Sequence, residues 1–150
     1  MGDVYLSDFS SRALLPAGQQ LDVLAPGSWV RGPFPGDPGY SHLPWWSKGI
    51  ADLKGHNPGN FYYVGGTSMA TPHVASAAAL LLQKNHTLTQ TQVEAILKSS
   101  ALPLADSGSR DIWNNTAPAT ITWDTDCGGV ACDPVGAGVL QLDAAIAATP

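Results

Sequence analysis

The feature that most constrains this fold is a run of small and apolar residues downstream of a glycine pair. Residues 74–82 are all apolar or small except Ser76, and the run extends from about Ser68 to about Lys84. A helix that is apolar on nearly all sides is typical of a protein core. The sequence therefore predicts a buried helix over residues 68–84. The apolar run is far shorter than the roughly 20 residues that cross a bilayer, so we expect no membrane partner.

The residues just before this helix form a second distinctive feature. Gly65 and Gly66 separate a strand-like aromatic run, residues 61–64, from the predicted helix. Glycine permits tight or left-handed backbone, and the first amides of a helix lack intrahelical partners. A hydroxyl at Ser68 would then lie beside N–H groups able to bind an oxyanion, which suits acyl transfer. The simpler interpretation is that Ser68 only caps a helix, because serine is a preferred N-cap residue.

The remaining patterns predict a mixed α/β chain without internal repeats. Thr89 and Gln92 fit a capping box that opens an amphipathic helix ending near Ser100, with Val93, Ile96 and Leu97 as its buried side. The stretch after Pro103 is polar and rich in turn residues until Gly136. Short strands are expected at residues 21–24, 28–31 and 139–140, and a small terminal helix at residues 143–148.

Ten consecutive residues carry a family resemblance. Residues 66–75, Gly-Thr-Ser-Met-Ala-Thr-Pro-His-Val-Ala, are similar, residue for residue, to the active-serine signature of the subtilase family. Pro72 is the residue of this run least expected by chance, because proline inside a helix removes a hydrogen bond. Segments 9–11, 21–27 and 136–140 resemble subtilase segments in the family's order. The resemblance therefore covers nearly the whole chain, as the C-terminal part of a subtilase catalytic domain.

The resemblance implies a function and a fold. It implies a serine endopeptidase acting on protein or peptide substrates, with Ser68 as the nucleophile and Gly65, Gly66 and Thr67 along the substrate. It also implies an α/β fold, the C-terminal portion of a three-layer subtilisin-like domain with a mostly parallel sheet. The alternative is a non-catalytic subtilase remnant that binds a peptide or a partner protein.

The other catalytic residues of the family have no counterpart here. The order of the triad is Asp, His, Ser, with the His about 150 residues before the Ser, whereas 67 residues precede Ser68. We therefore expect the N-terminal part with the Asp and His, and the family's side-chain oxyanion donor, to be absent from this chain. His73 lies about 140° around the helix from Ser68 and is interpreted as structural. Asp22, His42 and Ser68 copy the triad's order, but nothing around them resembles the family's motifs.

The long segment between residues 32 and 60 departs from short subtilases. It holds five prolines together with Trp45 and Trp46, and loops of this length are uncommon unless functional or disordered. The region lies near the substrate cleft in the family. The two tryptophans form either an enlarged wall of that cleft or the anchor of a structural loop.

The two cysteines and the start of the chain bear on localisation. Cys127 and Cys132 flank a short loop that a disulfide can close, as expected in an oxidising compartment; two unrelated thiols are the alternative. We expect no signal peptide in this chain, because Met1 leads into Gly-Asp-Val without an apolar run. We expect an extracellular, secreted parent protein whose start is missing here.

The charge of the chain and its possible metal ligands narrow the partners and cofactors to be expected. The net charge is −5 with no basic cluster, which argues against a nucleic-acid partner. Three acidic residues lie near the cysteines: Asp124, Asp126 and Asp133. Carboxylates are ligands that Ca²⁺ prefers, but the sequence around these residues shows no calcium-binding motif. We expect no required cofactor and no metal site.

Overall fold

The computed structural model describes residues 4–33, 47–48, 61–113 and 117–150. The strands are β1 (Ala13–Leu14), β2 (Val30–Pro33), β3 (Ser47–Lys48), β4 (Phe61–Val64), β5 (Gly108–Trp113), β6 (Pro118–Trp123) and β7 (Cys132–Asp133). The helices are α1 (Thr67–Lys84), α2 (Gln90–Ser99) and α3 (Leu142–Ala148), and a 3-10 turn spans Leu15–Ala17. Trp45, Trp46 and His42, which the sequence singled out, lie outside the described residues.

The three helices pack together around the main hydrophobic core. Its buried members are Ala77, Leu81, Val93, Leu97 and Ala145. The α2 helix begins with the predicted capping box, in which the Thr89 hydroxyl accepts from the Gln92 amide and the Gln92 side chain accepts from the Thr89 amide. The predictions of α1 and α2 are confirmed, each to within one residue at both ends.

The Lys84 ammonium fastens the end of α3 to the end of α1. It donates to the carbonyl oxygens of Ile146 and Thr149, at 2.8 and 2.7 Å. A cation at this position satisfies carbonyls that have no partner within their own helix. The predicted terminal helix is thereby held against α1.

The burial of α1 differs from the prediction. Ala77 and Leu81 are buried, but Leu80 is 38% exposed and Leu82 41% exposed, and Ala75 and Ala79 are also exposed. The expectation of a helix buried on nearly all sides is therefore wrong for this chain. The reason is that α2 and α3 pack on one side of α1, and no described residue covers the opposite side.

The described sheets are small and antiparallel. β2 pairs with β4 in the register Val30 opposite Val64 and Pro33 opposite Phe61, and β3 pairs with the other edge of β4. β1 pairs with β7, and β5 pairs with β6 as a hairpin. Among the described residues, parallel pairing is limited to the bridge between Leu24 and Val139. The mostly parallel sheet thus stays a prediction, and β2 begins two residues later than predicted.

The hairpin of β5 and β6 was not predicted from the sequence. It is anchored by Trp123, whose indole N–H donates to the Ala105 carbonyl at 3.0 Å. The Trp123 ring is buried with Leu6 and Val135 in a second hydrophobic cluster. This cluster joins the hairpin to the N-terminal segment.

The neighbouring backbone leaves no room for a side chain at two glycines near the C-terminus. A Cβ placed on Gly136 would lie 2.3 Å from the Leu21 carbonyl oxygen, and one on Gly138 would lie 2.2 Å from the Leu102 carbonyl oxygen. Both glycines have positive φ, +56° and +114°. Glycine is therefore required at both positions by space and by conformation. No helix in the described ranges is long and apolar enough to span a membrane.

Candidate active site

The site is built on the turn between β4 and α1. Gly66 is the N-cap of α1 with φ 155°, a conformation that side chains disfavour, and no side chain caps the helix. Its N–H donates to the Gly27 carbonyl at 2.7 Å, and its own carbonyl accepts from the Met69 amide at 3.0 Å. The turn is thus fixed from outside by the segment that ends at Gly27. Ser68 is the second helical residue, so it is not the cap of the helix.

Ser68 is exposed at the start of the helix. Its hydroxyl makes no hydrogen bond to any of the described residues, and its N–H belongs to the first turn, whose amides have no partner one turn back. The positive end of the helix macrodipole lies at the same point. Thr67 is exposed beside it, whereas Gly65 and Gly66 are half-buried. Within the described part of the chain, a carbonyl approaching Ser68 would therefore meet a hydroxyl and a Ser68 N–H that have no hydrogen-bond partner.

Pro72 alters the hydrogen bonding of this first turn. It has no N–H, so the Ser68 carbonyl loses the donor that a regular helix supplies. Side chains bind the neighbouring carbonyls: the Thr71 hydroxyl donates to the Thr67 carbonyl at 3.0 Å, and His73 Nδ1 donates to the Met69 carbonyl at 2.8 Å. The His73 ring is therefore bound to its own helix, as expected of a structural histidine.

Asp22, which precedes Ser68 in the triad-like order, is engaged elsewhere. Its carboxylate accepts from the Lys98 ammonium at 3.0 Å, and Glu94 accepts from the same ammonium at 3.2 Å. The hydrogen bond that Lys98 donates to Asp22, and then the one that it donates to Glu94, raise the pKa of Lys98 above its ordinary value of 10.5, and desolvation partly offsets this rise. The Lys98 ammonium thus neutralises the Asp22 carboxylate at the surface. Asp22 is therefore not assigned as a base for Ser68.

An apolar cavity opens beside the turn. It has a volume of about 240 Å³ and is lined by residues that include Tyr5, Phe9, Pro26, Gly27 and Thr67. The Tyr5 hydroxyl is buried there, and it has no hydrogen-bond partner within the described ranges. The cavity adjoins Thr67, which places a small apolar recess next to the exposed serine.

The cysteine loop lies on a different part of the chain. Cys127 and Cys132 form a disulfide with their Cα atoms 5.9 Å apart. The nearby carboxylates bind backbone amides of their own loop: Asp124 accepts from Asp126, and Asp133 accepts from Val135 and Gly136. In the part of the chain that the structure describes, no group of three His, Cys, Asp or Glu side chains is arranged to hold a metal.

The contact between Gly27 and Gly66 is the functional feature that sequence reasoning missed. The Ala-Pro-Gly run at residues 25–27 resembles a family segment, but no local sequence pattern indicates that its glycine contacts Gly66. A Cβ on Gly27 would lie 3.0 Å from the Gly66 carbonyl oxygen and 3.4 Å from the Ala70 Cβ. The sequence signal that could have indicated this contact is the glycine at the end of that run.

Comparisons with known proteins identify the family of this chain. The model of the subtilase family of S8 peptidases matches residues 3–128. Subtilisin E of Bacillus subtilis is 40% identical over 91 residues, which are 61% of this chain and 18% of that protein. Alkaline serine exoprotease A of Vibrio alginolyticus is 33% identical over 114 residues, covering 75% of this chain and 17% of that protein.

One solved structure resembles nearly the whole chain. Fervidolysin from Fervidobacterium pennivorans, described as a keratinolytic enzyme related to subtilisin, superposes with a TM-score of 0.59 at 29% identity. The match covers 97% of this chain and 17% of that one. The chain therefore spans about a fifth of the length of the relatives it matches.

Proposed function

Since this chain belongs to the subtilase family, we propose that it supplies the nucleophile portion of a serine endopeptidase. The observation that carries the proposal is the exposed, unbonded Ser68 hydroxyl in the first turn of α1. Gly65, Gly66 and Thr67 lie along the substrate backbone in this proposal. Protein or peptide chains are the substrates.

The proposed reaction is acyl transfer. The Ser68 oxygen attacks the scissile carbonyl carbon while its proton passes to a histidine base, and the carbonyl oxygen becomes an oxyanion. The Ser68 N–H donates to that oxyanion. The amine leaves with the proton returned by the histidine, and water then hydrolyses the acyl-enzyme by the same route in reverse.

The histidine base and its aspartate come from a portion that is not in this chain. His73 is bound to the Met69 carbonyl and Asp22 is bound to Lys98, which supports assigning both roles elsewhere. The parent domain in this proposal is a three-layer α/β fold with a mostly parallel sheet. The disulfide favours an extracellular parent. The reaction as proposed requires no cofactor, and calcium, nucleic acid and membranes have no role in it.

A second candidate is a non-catalytic module that binds a peptide or a partner protein. The exposed apolar side of α1, with Leu80 and Leu82 each about two-fifths exposed, favours it. In this case the face of the chain at the cleft binds the peptide or partner protein without cleaving a bond, and Ser68 has no special reactivity.

Labelling with a fluorophosphonate tests the proposal. The chain is mixed with the part of subtilisin E that precedes the matched segment, and labelling is compared with that of each component alone. We expect labelling of the mixture that Ser68→Ala abolishes and Ser76→Ala leaves unchanged, since Ser76 is an exposed serine on the same helix. Labelling that survives Ser68→Ala, or a stable complex that never labels, refutes the role of Ser68 and favours the binding module.

A further inference from the structure

The Ser68 N–H is one end of a rigid group whose other end is the Thr67 carbonyl. A trans peptide group is planar, and its N–H and C=O point in opposite directions. The direction of the Ser68 N–H is therefore tied to the bonds that the Thr67 carbonyl oxygen accepts. The structure gives that oxygen a side-chain partner, because the Thr71 hydroxyl donates to it at 3.0 Å. A side chain of α1 thus acts on the peptide group that carries the proposed oxyanion donor.

The peptide group on the other side of Ser68 is held by the backbone. It joins the Ser68 carbonyl to the Met69 N–H, and this N–H donates to the Gly66 carbonyl at 3.0 Å. Pro72 has no N–H to give to the Ser68 carbonyl. In the described part of the chain, this second group is therefore fixed from its N–H end. Of the two peptide groups that meet at Ser68, the first is the one that a side chain can tune.

The Thr71 hydroxyl adds a donor that the helix itself does not provide. A carbonyl oxygen has two lone pairs, and the α-helical ladder brings one N–H to each carbonyl. Threonine in a helix binds the carbonyl one turn back, and Thr71 lies four residues after Thr67. The extra bond restricts rotation of the peptide group. It also polarises the group, since hydrogen bonds in a chain strengthen one another, so the Ser68 N–H becomes a stronger donor.

We propose that Thr71 is a positioning residue for the oxyanion, which aims and polarises the Ser68 N–H through the Thr67 carbonyl. The inference rests on the proposed function, in which that N–H stabilises the oxyanion. Thr71 does not contact the substrate in this proposal, because its hydroxyl is bound to its own helix. The oxyanion forms only when the scissile carbonyl is attacked. The hydroxyl therefore speeds the attack without tightening the binding of the substrate.

The His73 side chain makes a similar bond on a more distant peptide group. Its Nδ1 donates to the Met69 carbonyl at 2.8 Å, and that carbonyl shares its peptide group with the Ala70 N–H. This group does not include any atom of Ser68. The bond from His73 therefore stabilises the turn as a whole, and the positioning role is assigned to Thr71.

Amide NMR of the chain by itself tests the polarisation without any catalysis. Thr71→Val removes the hydroxyl and keeps the branched shape of the side chain, and Thr71 is exposed, so the change leaves no cavity. We expect the Ser68 amide nitrogen resonance to move upfield in this variant. Thr71→Ser keeps the hydroxyl and should leave the resonance at its original position. Thr91→Val makes the same change at an exposed residue in the first turn of α2 and is the matched control.

The rate of fluorophosphonate labelling tests the catalytic consequence. In the mixture with the preceding part of subtilisin E, attack by Ser68 on phosphorus places negative charge on the phosphoryl oxygen, which stands in for the oxyanion. We expect Thr71→Val to lower the maximal labelling rate constant about fivefold, the effect of one hydrogen bond. The reagent concentration that gives half of the maximal rate should stay unchanged. Thr71→Ser should restore the rate, and Thr91→Val should leave it unaltered.

Three outcomes overturn the proposal. The first is a Ser68 amide resonance that does not move in Thr71→Val. The second is equal slowing in Thr71→Val and Thr71→Ser, which indicates a packing role. The third is slowing that arises from weaker binding of the reagent. A mixture that never labels, or that labels after Ser68→Ala, refutes the proposed function instead, and the Ser68 resonance of the chain by itself still shows whether Thr71 polarises that N–H.

Discussion

Replacing Gly138 with alanine tests how tightly the C-terminal segment is packed against the chain beside it. The new Cβ would meet three backbone atoms, the nearest being the Leu102 carbonyl oxygen at 2.2 Å. Backbone must move by about 1 Å to restore an ordinary contact distance. That carbonyl accepts from the Val139 amide at 2.8 Å, so the same movement breaks the hydrogen bond.

The expected cost follows from two contributions. An alanine held near φ +114° costs of order 1–3 kcal/mol, and leaving a partly buried hydrogen-bonding pair unsatisfied costs about 1–3 kcal/mol more. We therefore expect Gly138→Ala to lower the free energy of unfolding by about 4 kcal/mol. This is a large fraction of the roughly 5–15 kcal/mol that stabilises a typical domain.

Two glycines provide matched controls. Gly18 has φ +68° but no atom within 4 Å of the position that an alanine Cβ would take, so Gly18→Ala isolates the conformational cost, about 1 kcal/mol. Gly32 has neither a positive φ nor a neighbour within 4 Å, so Gly32→Ala should change stability by less than about 1 kcal/mol. Urea unfolding followed by circular dichroism measures all three. If Gly138→Ala costs no more than Gly18→Ala, the close approach at Leu102 is refuted.

Three smaller effects are expected. Thr89→Ala removes the capping box of α2 and should cost about 1 kcal/mol in urea unfolding, and a loss below about 0.3 kcal/mol contradicts the role of the cap. Reducing the disulfide of Cys127 and Cys132 should destabilise the chain by about 2 kcal/mol, and unchanged unfolding with and without reductant contradicts this. Because its pKa is raised when folded, Lys98 adds stability that is fully present below pH 10.5 and is lost as pH rises through the folded pKa. An Asp22→Asn variant should flatten that alkaline loss, and identical pH profiles would argue against the ion pair.

Features encoded by neighbouring residues were predictable from the sequence. The capping box needs only Thr89 and Gln92, and the turn before α1 needs only two glycines and the residues around Ser68. Helix ends and the serine's position at a helix start therefore followed from local patterns. The family resemblance of residues 66–75 supplied the chemistry that those local patterns leave open.

Features that depend on distant contacts were not predictable. The burial of α1 is decided by what packs on each side, and its composition alone suggested a helix enclosed all round. The hairpin of β5 and β6 was missed because its strands mix polar and apolar residues, and pairs such as Thr120 with Asp111, bonded at 2.6 Å, form only once the strands meet. The bond between Gly27 and Gly66 joins segments far apart in the chain.

The register of β2 and β4 has a consequence for how this protein can diverge. Because Pro33 lies opposite Phe61, the chain between them leaves and returns at adjacent points, while β4 leads directly into the turn at Gly65. Each doubling of such a connection costs only about 0.6 kcal/mol in closure entropy. Descendants of this sequence can therefore lengthen or shorten that connection on either side of β3, which pairs with β4, and the turn that presents Ser68 stays where it is.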